Sequence, residues 1–125
     1  MSDWMKKWLE KNVDNLDGID ITKLPPKTKI IIDTKNSIYD IIVVDGKNII
    51  CKGGTHMPQP VTAHLNGSTW GGSALWLGWI NFMMRMEIAY GKKLLTTSPV
   101  ERATVIGPDE SWSYDLDWPH PSYPE

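Results

Sequence analysis

The residues of this chain that could do chemistry concentrate in one stretch, His64-Leu65-Asn66-Gly67-Ser68-Thr69-Trp70-Gly71-Gly72-Ser73. Gly67 and the Gly71-Gly72 pair open backbone paths closed to other residues. Such paths can turn successive N–H groups toward one point and make an anion-binding concavity. Ser68, Thr69 and Ser73 add hydroxyl donors, and Trp70 adds a flat apolar face with one N–H. If the stretch curls over the strand that carries Arg85, the guanidinium joins the set, because arginine suits planar anions. Trp70, Trp76 or Trp79 could then stack a base. The expected ligand site is therefore Asn66, Gly67, Ser68, Thr69, Trp70, Gly71, Gly72, Ser73 and Arg85, and the expected ligand is a small anionic, nucleotide-like molecule. The plainer reading of the same residues is a wide turn, with Arg85 paired to Glu87 or across the strands.

Signatures of catalysis are weak. The stretch lacks the Gly-Lys-Ser/Thr ending of a phosphate-binding P-loop, and no helix pattern follows it as a dinucleotide fingerprint requires. His56 and His64 flank a probable strand with no third ligand nearby except Cys51, so no metal and no cofactor are expected. A Ser68–His64–aspartate triad can be written, but Ser68 has no GxSxG elbow and nothing fixes the histidine tautomer. Asp40, Asp45 and Glu87 sit in or beside strands, where a solvent-facing carboxylate is the ordinary finding. A hydrolase is the weakest of the readings; a binding protein without catalytic chemistry leads.

Bulk properties narrow the classes further. A length of 125 residues is one domain with one core. The net charge of −2 gives no general attraction for nucleic-acid phosphates. The lone Cys51 cannot form an intrachain disulfide and suits a reducing compartment, so a cytoplasmic setting is expected. No apolar run is long enough to cross a membrane as a helix. Seven tryptophans against one phenylalanine imply that some indoles are partly exposed.

The elements that must position these residues read as follows. Residues 1–14 hold a short amphipathic helix, with Ser2 as N-cap and Trp4, Met5, Trp8, Leu9 and Val13 on one face. That face packs on the sheet or binds a partner. Residues 15–26 form a connector whose Ile19, Ile21 and Leu24 can lie along the core, stiffened by Pro25-Pro26. From Lys27 the period becomes that of strands: Lys29 to Thr34, Ile38 to Val44 and Asn48 to Lys52, with Asp45-Gly46 as a hairpin turn. The runs Ile30-Ile31-Ile32 and Ile41-Ile42-Val43-Val44 exceed strict alternation, which suggests cover on both faces or a strand bent around a small barrel. Thr55 to Pro60 reads as an irregular loop, Val61 to Leu65 as a short strand, and Ala74 to Ile80 as strand or loop. Met84 to Tyr90 alternates as a strand. Leu94 to Thr97 and Val100 to Ile106 follow, broken at Ser98-Pro99.

Residues 108–125 are acidic, proline-rich and aromatic. A disordered tail would be poor in aromatics, so this one should dock on its own domain, a second copy or a foreign partner. The fold class expected is mainly β: a small antiparallel β-barrel or roll of SH3-like or Sm-like size over residues 27–107, one N-terminal α-helix, and an extended aromatic C-terminal tail. The alternative function is a protein-interaction or structural-assembly module, forming a homo-oligomer through Trp4, Trp8, Trp112 and Trp118.

Overall fold

A computed structural model describes residues 18–70, 75–110 and 113–117. The expected N-terminal helix, Gly71-Gly72-Ser73, Trp112 and Trp118 lie outside the described residues. Ten strands follow in order: β1 (Gly18–Asp20), β2 (Lys29–Thr34), β3 (Ile38–Asp45), β4 (Asn48–Gly53), β5 (Met57–Thr69), β6 (Leu75–Leu77), β7 (Trp79–Asn81), β8 (Arg85–Tyr90), β9 (Lys93–Ile106) and β10 (Ser113–Asp117). A 3-10 turn, Ile21–Lys23, is capped by the Asp20 carboxylate, which accepts from the Thr22 N–H at 3.0 Å. No helix of the described residues is long and apolar enough to cross a membrane.

The β-branched runs make strands because such side chains are stiff at χ1 and pack well on a pleated surface. Their extra apolar residues do not reflect cover on both faces. Ile30 and Ile32 are fully buried while Ile31 is half-buried. On β3, Tyr39, Ile41 and Val43 face in, whereas Ile38 is 61% and Val44 42% exposed. One face is core, and the other keeps its β-branched residues for strand propensity alone.

The antiparallel pairings close on themselves: β2 with β3, β3 with β4, β4 with β5, β5 with β8, β8 with β9, and β9 with β2. The ring forms because β5 and β9 are long enough to change partners. The first part of β5 pairs β4 and its last part pairs β8. The first half of β9 pairs β8 and its second half pairs β2. Inside lie Ile30, Ile41, Ile49, Leu65, Met86, Ile88 and Val105, all fully buried. The small β1–β7 sheet adds Ile19 and Ile80, both at 0% exposure, to the same cluster.

Two sequence expectations are corrected here, and part of the tail is found at one of its three expected docking places, its own domain. Residues 57–60 are not an irregular loop but the start of β5, with Pro58 and Pro60 exposed on it. Proline is tolerated in a strand where no ladder donor is needed. Ser98-Pro99 does not break the chain; β9 runs through it. The partner exchange happens at this point, so a residue without an N–H fits. Finally, residues 113–117 of the tail are a strand, paired antiparallel to β9 from Ser113–Ile106 to Asp117–Arg102. Leu116 is buried there, and the Asp115 carboxylate accepts from Thr104 Oγ1 at 2.7 Å.

Cys51 is fully buried on β4, and burial, with Asp40 adding a lesser effect, pushes its thiol up to about 12. The native thiol should resist alkylation at mildly alkaline pH and react fully only in denaturant; rapid labelling of the folded protein would contradict the burial. Above the ordinary thiol pKa the unfolded chain has lost this proton and the native chain keeps it. Stability should therefore fall as pH rises from about 9 toward 12, by at most about 1.4 kcal/mol per pH unit from this group. Tyr39, also raised by burial, acts in the same direction. Urea midpoints across that range measure it.

Candidate functional site

The glycine-bearing stretch is strand as far as Thr69. Gly67, Ser68 and Thr69 have partners on both sides, Leu77, Trp76 and Leu75 on β6, and Glu87, Met86 and Arg85 on β8. Their main-chain groups are engaged in two ladders rather than turned toward one point. A register shift between Leu65 and Gly67 marks a bulge, which lets both Leu65 and Ser68 lie buried. Gly67 adopts φ 150, and a Cβ there would overlap the Trp76 carbonyl. Glycine is required because β6 crosses in close contact, not because a ligand approaches.

Ser68 is fully buried, and its hydroxyl is a structural bridge. It donates to the Trp79 carbonyl at 2.7 Å and accepts the Asn81 N–H at 2.9 Å. These two bonds tie β7 to β5. They also leave no room for a triad: His64 Nδ1 lies 3.2 Å from Asn48 Oδ1 instead. Thr69 is buried as well. Among the described residues no group of three or more metal-ligating side chains comes together.

Arg85 and Glu87 share a strand but not a bond. The Arg85 guanidinium donates to the Thr97 carbonyl at 3.1 Å, and the Glu87 carboxylate accepts from Asn66 Nδ2 at 2.9 Å. Arg85 opposes Thr69, the residue before Trp70, and Trp70 is 67% exposed. Of the nine expected ligand residues, then, Asn66 to Thr69 form the end of β5, Trp70 follows directly after it, Arg85 is a strand neighbour, and Gly71, Gly72 and Ser73 lie outside the described residues.

The sequence reading gave less weight to what lies beside them. β6 ends the sheet path, and no strand among the described residues pairs with its outer edge. Its Trp76 is 55% and its Leu77 63% exposed, next to the exposed Trp70. Trp76 meets Trp79 edge-on, with centroids 6.3 Å apart and planes at 82°. Gly78, at φ 73, folds the chain sharply between β6 and β7. Its N–H donates to the Asn66 carbonyl and its carbonyl accepts from the Ile21 N–H, both at 3.0 Å. The tryptophan count hinted at exposed indoles; which ones are exposed depends on this fold-back.

A second feature went unnoticed in the sequence. A cavity of about 570 Å³ opens where β9 bends, lined on its apolar side by Phe82, Met83, Pro99 and Val100. Asp33, Lys35, Glu101 and Arg102 line the rest. No local motif marks it, because its residues come from three separate parts of the chain. No protein-family model, curated protein or solved structure matches this sequence.

Proposed function

We propose that this protein is an interaction and assembly module that pairs with a second copy of itself through β6. The observation that carries the reading is the open edge of β6, whose successive residues Trp76 and Leu77 are both exposed, with Trp70 exposed just past the end of β5. An unpaired edge with large apolar side chains is a template for another strand. Two copies meeting edge to edge give a two-fold, self-complementary contact. The six-strand ring acts as a small barrel of SH3-like size that holds this edge rigid. The tail contributes less than its composition suggests, since Ser113–Asp117 is already engaged on its own sheet. The buried, lone thiol suits a reducing setting, and we place the protein in the cytoplasm.

Light scattering on the full-length chain tests this. A dimer is expected, and Leu77→Lys should give a folded monomer, because a lysine on the edge blocks strand addition. A wild-type monomer at every concentration tried would overturn the reading, as would a dimer unaffected by Leu77→Lys.

A small anionic, nucleotide-like ligand is the second reading. It is favoured by one observation, the exposed Trp70 beside the cross-strand pair Thr69–Arg85. A nucleotide that raises the melting temperature of the wild type but not of Trp70→Ala supports it; no response to any nucleotide removes it.

A further inference from the structure

The ladder between β2 and β9 carries one extra residue at the bend. Asp33 opposes Arg102 and Thr34 opposes Val100, so Glu101 has no opposite number. Glu101 and Arg102 are consequently two successive exposed residues between the buried Val100 and Ala103. An unbroken strand would turn one of them inward, because successive side chains alternate between faces. Bulges of this kind re-aim side chains beside functional sites. Near them Met83 sits at φ 67, a left-handed conformation that is strained for a side-chain-bearing residue. Its N–H is held by the Val100 carbonyl at 2.8 Å, and Met83 is 58% exposed.

We propose that the cavity between these elements binds a zwitterionic small molecule with an apolar side group, the chemistry of a large neutral amino acid. Its volume of about 570 Å³ lies within the usual range for small-ligand sites, about 300–1,000 Å³. The lining carries two acids, Asp33 and Glu101, and two bases, Lys35 and Arg102. A polyanion such as a nucleotide would meet the two carboxylates, and a simple cation would meet the two bases. A dipolar ligand satisfies both: its ammonium faces the Glu101 carboxylate, and its carboxylate faces the Lys35 ammonium. Among the described residues neither Asp33, Lys35 nor Glu101 has an ion-pair partner. The apolar group then covers the exposed Met83.

The test is a titration of isotope-labelled full-length protein followed by amide chemical shifts. The probes are L-phenylalanine, N-acetyl-L-phenylalanine and L-phenylalaninamide. Saturable shifts at residues 33–35, 82–83 and 100–102 are expected with L-phenylalanine. Each analogue lacks one charge and should bind roughly tenfold more weakly or worse. Glu101→Gln, at an exposed position that leaves the fold intact, should weaken L-phenylalanine by a similar factor. No saturable shift at these residues, equal binding of the three probes, or unchanged binding to Glu101→Gln would each overturn the proposal. None of the three probes is a nucleotide and β6 lies outside the lining, so the readout is separate from both readings above.

Discussion

Gly67→Ala should unfold about 3 kcal/mol more easily than the wild type, lowering the melting temperature by roughly 10 °C. Two costs combine at this position. The backbone is at φ 150, where an L-residue is strained, and the added methyl would lie against the Trp76 carbonyl carbon at 2.7 Å and the Leu77 Cα at 3.0 Å. Those atoms are main chain of β6 and cannot step aside as a flexible side chain would. Relief requires β6 to leave β5, which also disturbs the exposed Trp76–Leu77 edge. The variant should therefore lose stability and self-association together. Thermal denaturation reads the first and light scattering the second. A Gly67→Ala protein as stable as the wild type would mean that β6 does not lie against β5 as described.

The Ser68→Ala protein should lose about 2–4 kcal/mol of stability. Alanine removes only the hydroxyl oxygen and adds no atom to this fully buried position, so the effect reports the two lost bonds. Without the hydroxyl the Trp79 carbonyl and the Asn81 N–H lose a buried partner at 2.7 and 2.9 Å. The link between β7 and β5 is weakened, and with it the position of the fully buried Ile80. A serine that served only a bound ligand would behave differently: its replacement would leave unfolding unchanged and abolish ligand stabilisation. Urea denaturation without added ligand separates the two roles, and an unchanged midpoint would remove the bridging role.

The two substitutions share a lesson about reading glycine and serine in sequence. Gly67 and Ser68 carry a signal for unusual backbone and for a polar donor, and both parts of that signal are real here. The partner is the chain itself. From the sequence alone, an anion and a crossing strand present the same demand: room for close approach and a hydroxyl to satisfy what approaches. Likewise Arg85 and Glu87, two apart on one strand, suggest a pair. Neighbours on other strands, Thr97 and Asn66, took both groups.

Local sequence settled what local physics controls. The β-branched runs placed β2, β3 and β4, though not which face of each turns inward, and Asp45-Gly46 marked the hairpin between β3 and β4. Ile19, Ile21 and Leu24 were legible as core for the same reason, since apolar side chains in an extended segment have nowhere else to go. Tertiary structure alone decided the rest. That β5 and β9 each serve two partners, that Gly78 folds β6 back and exposes Trp76, and that residues 33–35, 82–83 and 99–102 enclose one cavity all depend on contacts between distant segments. Such contacts arise from closing the ring, and no window of neighbouring residues encodes where a ring closes.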